Sequence, residues 1–215
     1  MTAAPTAVYG AALRRAATGE RAGLWLLDRA GTVVRRADAG DWSTDLRPGD
    51  TGLLERCPDG TLDLGCGPGR MVGALVAAGR RAVGVDVSPQ AVRLTRRRGV
   101  PALLGSLFDP LPEEGGWGCA LLADGNVGIG GHPERLLRRC RDLVRRDGSV
   151  LVEVDPPGEP TWRGAVHLAD GRRTSAAFAW AFVGADEIAP IASRAALRTT
   201  DIWTEAGRWF AHLTP

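Results

Sequence analysis

The sequence predicts an α/β fold: a doubly wound sheet of seven strands, mostly parallel, with an antiparallel last strand. Three observations predict it. The run Thr61–Ser88, TLDLGCGPGRMVGALVAAGRRAVGVDVS, reads as strand, glycine turn, helix, strand. After it, short apolar runs alternate with helical patterns. The chain then closes on two strand-like segments joined by Glu205-Ala206-Gly207.

In the first unit, Leu62, Asp63 and Leu64 end an apolar strand, and Gly65-Cys66-Gly67-Pro68-Gly69 strips most Cβ atoms from the turn that follows. Met71, Val72, Leu75 and Val76 recur at helical spacing before Gly79, and Ala82–Asp86 is the second strand. A right-handed crossover makes these strands parallel neighbours, so the glycine turn and Asp86 share one sheet edge. A carboxylate there accepts hydrogen bonds from two ribose hydroxyls, and the turn offers bare backbone to the group on the 5′ carbon. Arg70 stands where a dinucleotide fingerprint needs its third small residue, which argues against a dinucleotide. Asp63, two residues before the first glycine, suits an ammonium better than phosphates.

Asp63, Gly65, Gly67, Gly69 and Asp86 together resemble motifs I and II of class I S-adenosylmethionine-dependent methyltransferases. The resemblance implies a Rossmann-like sheet and S-adenosylmethionine as cofactor. It places Cys66 and Val87 among the cofactor-binding positions with those five. It covers residues 50 to 155 by motif and the tail by order of elements.

Residues 1–48 are expected to form a cap: a short helix carrying Val8, Tyr9, Ala12, Leu13 and Ala16, then a hairpin from Leu24 to Val34, with Trp42 in a polar loop. Residues 49–215 form the methyltransferase-like domain, whose first helix, Pro48 to Cys57, buries Leu53 and Leu54. Ser88 caps and Pro89 opens the helix after Asp86, which Arg96-Arg97-Arg98 closes. A third strand, Pro101–Leu104, leads into Gly105-Ser106-Leu107-Phe108-Asp109, similar to the family's adenine-lining motif. The family more often has aspartate at the position of Ser106, so the adenine amine contact is left between Ser106 and Asp109, with Leu107 and Phe108 against the ring.

The fourth strand, Trp117–Ala123, ends at Asp124-Gly125-Asn126, polar residues in a glycine-rich loop. In the family this loop runs beneath the sulfonium, so the resemblance makes Asp124, Gly125 and Asn126 contacts to the methionyl end or the acceptor. It lacks the Asn/Asp-Pro-Pro-Tyr/Phe signature of many enzymes that methylate nucleobase or amide nitrogens. His132 precedes a helix expected over Glu134–Arg146, and Ser149–Asp155 is the fifth strand. An inserted hairpin at about 160–183 follows, with Trp162, His167, Phe178 and Trp180 as an aromatic wall. A helix, Ala185–Ala195, precedes the terminal strands.

At 215 residues and a net charge of +2, the chain has the length for one full core and no strong field for nucleic acid or an acidic membrane. Every basic side chain is arginine. Cys57, Cys66, Cys119 and Cys140 show no Cys-x-x-Cys spacing, and no apolar run reaches membrane-spanning length. A cytoplasmic monomer or homodimer without a metal is the expectation.

Methyl transfer is an in-line displacement, driven largely by holding the acceptor about 3 Å from the methyl carbon. A hydroxyl acceptor wants a base, for which His132, Asp124 and His167 are the candidates; a neutral amine wants none. The expected function is transfer of the S-adenosylmethionine methyl group to a small molecule, releasing S-adenosylhomocysteine. The alternatives are action on RNA or protein, and binding of the nucleoside without catalysis.

Overall fold

A computed structural model describes residues 2–215. Its main sheet has seven strands: β3 (Thr61–Leu64), β4 (Ala82–Asp86), β5 (Ala102–Leu104), β6 (Trp117–Leu122), β7 (Val144–Val154), β10 (Arg198–Glu205) and β11 (Arg208–Thr214). Their order is β10-β11-β7-β6-β3-β4-β5. Neighbours from β5 through β7 pair in parallel, and β11 lies antiparallel to both β7 and β10.

The central strands β3 and β6 are buried on both faces, as their near-continuous apolar residues demand. Along β6, Ala120 and Leu122 pack on one core with Leu136, Leu137 and Cys140 of α6 (Pro133–Leu143) and Ile191 of α7 (Ile188–Arg194). Cys119 and Leu121 face the other, against Leu53 of α3 (Asp50–Glu55) and Met71, Val72 and Leu75 of α4 (Arg70–Ala77). The period of two along one strand thus serves two helix layers. The helix after β4, α5 (Pro89–Arg97), starts as its residues require, with the Ser88 hydroxyl accepting from the Ala91 N–H.

A second sheet covers the carboxyl edge of the first. Its strands are β1 (Gly23–Leu27), β2 (Val33–Asp38), β8 (Trp162–Ala169) and β9 (Phe178–Phe182), ordered β2-β1-β8-β9 and antiparallel throughout. The expected amino-terminal hairpin and the expected inserted hairpin are therefore halves of one sheet, joined where Trp25 pairs with Ala169 and Leu27 with His167. The first helix, α1 (Pro5–Ala16), packs Val8, Ala12 and Leu13 between this roof and Ala91 of α5. A buried ion pair, Arg15 to Asp170 at 3.0 Å, fastens α1 to the end of β8.

Three local expectations are corrected. The helix expected to run to Arg146 stops at Leu143, because Val144 is extended (φ −88°, ψ 153°) and pairs with Trp117, so β7 starts five residues early. The loop holding Trp42 contains a short helix, α2 (Ala39–Ser43), capped by Asp38, whose carboxylate accepts from the Gly40 N–H. The helix expected from Ala185 begins at Ile188, after Asp155 and Gly184 form an isolated bridge.

The roof meets the floor most closely where β9 crosses the 3-10 turn Asn126–Gly131. A Cβ on Gly128 would run into the Ala181 carbonyl and the Trp180 indole, and one on Gly131 would meet Ala179 at 2.9 Å. Gly128→Ala is expected to lower stability by about 1–3 kcal/mol through overpacking. Gly73→Ala, mid-helix with open space around it, is expected to raise stability by about 0.5–1 kcal/mol. Thermal unfolding of the two variants checks both signs.

Candidate active site

Between roof and floor lies a cavity of about 680 Å³. From the floor come Asp63, the glycine turn, Asp86, Ser106 and the loop after β6. From the roof side come Tyr9 of α1, Leu24 and Leu26 of β1, Trp42 of α2, and Phe178 and Trp180 of β9.

The glycine turn has the backbone that its residues permit. Gly65, Gly67 and Gly69 all sit at positive φ, between 55° and 86°. A Cβ on Gly65 would meet the Asn126 amide at 2.7 Å, and one on Gly69 would meet Thr95 at 2.6 Å. Asp86 is held against this turn: one carboxylate oxygen accepts from the Gly67 N–H at 3.0 Å, the other from the Ser88 N–H at 2.7 Å. Burial outweighs those two bonds and leaves its pKa above the ordinary carboxylate value.

Asp63 is 2% exposed, and its Oδ2 has no hydrogen-bond partner. Burial, with Asp124 and Asp86 nearby, pushes its pKa up to about 8. A buried carboxyl of this kind holds a proton until a cation arrives to replace it.

The carboxyl end of β6 is a layer of ion pairs. Asp124, at the strained φ of 53°, faces Arg70, Arg47 (3.1 Å) and Arg208 (3.5 Å). Asp50 pairs with Arg70 and with Arg208 (2.6 Å), and Glu153 takes Arg208 in a fork at 2.9 and 2.8 Å. Arg70 is 4% exposed, and its Nε also lacks a partner.

The structure brings Asp63, Gly65, Cys66, Gly67, Asp86, Val87, Ser106, Leu107, Asp124, Gly125 and Asn126 together on the cavity wall. Gly69 stands just behind it as the residue preceding α4. Phe108 and Asp109 lie outside the lining, because Phe108 turns away under Arg135 (4.7 Å) and Asp109 is exposed. Of Ser106 and Asp109, only Ser106 reaches the cavity. Cys66 is buried with its thiol raised, chiefly by burial.

For acid–base work the expected residues are poorly placed. His132 is exposed at the start of α6, outside the lining, because Pro133 begins the helix at once. His167 is bonded to the Ser175 carbonyl at 2.8 Å and is also outside it. Asp124 lines the cavity, but its carboxylate is engaged by arginines. Asn126 donates its amide to the Leu64 and Gly65 carbonyls, both at 3.0 Å, and so braces the glycine turn.

Sequence reasoning missed Tyr9, Trp42 and Arg47 as cavity residues, and Arg70 as more than bulk beside the turn. Tyr9 stands over Gly67, with its hydroxyl 3.1 Å from where a Cβ would be, and its ring meets Trp42 edge-on at 5.8 Å. The position of Arg70 directly after the turn was the one available signal.

Residues 61–148 match the family model described as a methyltransferase domain. That stretch, with its sheet order and its glycine–Asp86 geometry, is similar to class I S-adenosylmethionine-dependent methyltransferase domains. A methyltransferase of Bacteroides fragilis, solved with S-adenosyl-L-homocysteine, superposes with a TM-score of 0.80 at 18% identity, covering 100% of this chain and 97% of that one. A Burkholderia thailandensis 1,6-didemethyltoxoflavin N1-methyltransferase gives 0.55 at 20% identity, over 77% of each chain. At these identities the likeness is one of fold. Among curated proteins, a tabtoxin biosynthesis enzyme of Pseudomonas amygdali pv. tabaci is 34% identical over 111 residues, 49% of this chain and 44% of that protein. A protein from transposon TN4556 of Streptomyces fradiae is 32% identical over 126 residues, 55% of this chain and 32% of its own length. The chain thus spans less than half of each curated relative. No helix among the described residues is long and apolar enough to cross a membrane.

The residues of this wall fit S-adenosylmethionine. The turn has no Cβ where Gly65 and Gly67 line the cavity, Asp86 offers a braced carboxylate for ribose hydroxyls, and the orphaned Asp63 oxygen offers an acceptor for an ammonium.

A pH test follows from Asp63. Its folded pKa of about 8 lies above the ordinary 3.8, so the native state keeps a proton that the unfolded chain releases. That contribution is complete below the unfolded pKa and is lost as pH rises through the folded one. Denaturant midpoints of the ligand-free protein are expected to fall between about pH 4 and about pH 8, and Asp63→Asn to flatten that slope.

Proposed function

We propose that this protein transfers the methyl group of S-adenosylmethionine to a small-molecule acceptor and releases S-adenosylhomocysteine. The observation that carries the reading is the roof. A four-stranded sheet built from the hairpin β1–β2 and the hairpin β8–β9 inserted after β7 closes over the carboxyl edge, where an open groove would suit a polymer. The enclosed space has the size and apolar, aromatic walls of a small-molecule site. Two members of the arginine triplet are engaged locally: Arg96 donates to the Ala102 carbonyl, and Arg98 to the carbonyls of Ser43 and Thr44. The toxoflavin enzyme and the tabtoxin protein, named for small molecules, support the same reading.

In this reading Asp86 holds the ribose, and Ser106, Leu107 and Val87 flank the adenine. Asp63 takes the ammonium. The bound cofactor supplies the electrophilic methyl group. The protein's part is placement: Trp42, Phe178 and Trp180 hold the acceptor in line and keep water out. With His132 and His167 outside the lining and Asp124 paired, the wall offers a hydroxyl no free imidazole. An acceptor that is nucleophilic without deprotonation, such as a neutral nitrogen, suits this wall best.

Calorimetric titration with S-adenosylmethionine, S-adenosylhomocysteine and NAD tests the first half. The two sulfur nucleosides are expected to saturate, NAD to be silent, and Asp86→Ala to weaken S-adenosylhomocysteine by about tenfold or more, the cost of charged hydrogen bonds. Release of S-adenosylhomocysteine with a panel of small heteroaromatic amines and phenols, against RNA and protein extracts, tests the second. Turnover confined to RNA or protein would remove the small-molecule reading.

A further inference from the structure

A strand at the edge of a sheet leaves half of its peptide groups unpaired, and proteins shorten, cover or pair such edges. The main sheet has two. One is β5, only three residues long; the other is β10, eight residues that pair with β11 on one side and, among the described residues, with no strand on the other.

The terminal hairpin fixes which groups of β10 are free. Glu205 and Arg208 pair across the two-residue loop Ala206-Gly207, both at positive φ, so their peptide groups face each other. Alternation then directs the N–H and C=O of Ile202 and Thr204 to the open side. A bulge comes next: Asp201 lies opposite His212 and Thr199 opposite Leu213, while Thr200 is left over, its hydroxyl donating to the His212 carbonyl at 3.1 Å. Beyond the bulge, Thr199 is the third residue directed outward. Side-chain faces follow the same count. Thr199, Ile202 and Thr204 share the face of Leu213, Ala211 and Trp209, and Arg198, Asp201, Trp203 and Glu205 share the face of Phe210.

This edge is complementary to itself. A second copy laid antiparallel about a two-fold axis through Ile202 sets Thr199 against Thr204, Asp201 against Trp203 and Arg198 against Glu205, with both members of every pair on one face. Ile202, apolar and 38% exposed, meets its own copy on the axis. The outermost pairs join opposite charges. Two buried atoms that lack a hydrogen-bond partner among the described residues, Thr199 Oγ1 and Trp203 Nε1, come opposite a hydroxyl and a carboxylate. A shift of two residues would lose both charge pairs.

We propose that β10 is the docking edge for a second copy of this chain, joining two main sheets into one across a two-fold axis. An extended segment of an unrelated protein is the other occupant such an edge can take, but it gives no reason for Arg198 and Glu205 to stand three paired positions either side of Ile202. The cavity lining includes no residue of β10, so the pairing leaves the chamber intact.

Sedimentation equilibrium over a range of protein concentrations tests the proposal. The wild type is expected to approach twice the chain mass as concentration rises, with slower hydrogen exchange at the Ile202 and Thr204 amides. Ile202→Lys puts like charges on the axis, and Arg198→Glu puts them at both ends of the pairing; each is expected to raise the dissociation constant about tenfold or more. Arg198→Glu combined with Glu205→Arg is expected to recover most of the affinity, which a general loss of stability would not allow. Thermal melts establish that each variant is folded. Glu205 also accepts from the Gly52 N–H at 3.4 Å; should the double variant unfold, the two single changes, both at exposed residues, decide. A wild type still monomeric at about 1 mM would overturn the proposal. So would a dimer indifferent to both single changes, which would be formed through another surface.

Discussion

The register of β3 against β4 is the constraint on which the site depends. Leu64 lies opposite Val85, and the Val85 carbonyl accepts from both Gly65 N–H (2.8 Å) and Cys66 N–H (3.1 Å) as the chain leaves the strand. That pair of hydrogen bonds starts the glycine turn at the level of Asp86, whose carboxylate then accepts from the Gly67 N–H. A slip of one residue would turn Asp63 and Asp86 to the opposite faces of the sheet and remove the site. The apolar neighbours Leu62, Leu64 and Val85, all within 1% of complete burial, oppose such a slip.

A second layer of order comes from arginine. The guanidiniums of Arg70 and Arg208 lie between carboxylates contributed by α3, the end of β6 and β7. Charges this buried persist because each has partners on more than one side, and removal of one would strand the others. The planar fork allows this economy: Arg208 holds Glu153 with two nitrogens and Asp50 with the third. The ion-pair layer joins α3, α4, β6, β7 and β11 just below the cavity, which makes the floor rigid.

What the sequence made legible was whatever is encoded locally. The β3–α4–β4 unit follows from apolar spacing and a run of glycines, and the parallel sheet follows from its repetition. Ser88 announces α5 because a cap acts within three residues. Groups that depend on distant partners were hidden. Nothing in the neighbourhood of Arg70 shows that Asp50 and Asp124 will meet it, and nothing near Trp25 shows that Ala169 will be its strand partner. His132 was attractive for its residue type and its loop; its exposure follows from where Pro133 starts the next helix. Phe108 was expected at the adenine for a similar reason, yet the side chain packs under Arg135. The end of α6 was misplaced because Val144 and the arginines after it fit a helical pattern as well as a strand, and pairing with Trp117 settled it.

The pairing of β1 with β8 has a consequence for how the molecule comes into being. Floor strands β3 to β7 pair across shorter separations in sequence, the longest from Thr61 to Cys119, whereas the roof joins residues 25–27 to residues 167–169. Closing so long a loop carries an entropic cost that contacts formed earlier must offset. On a ribosome, the first hairpin emerges long before its partner strand exists. The enclosed chamber is therefore a late product of folding, completed only when the α/β floor presents β8 to a hairpin made long before it.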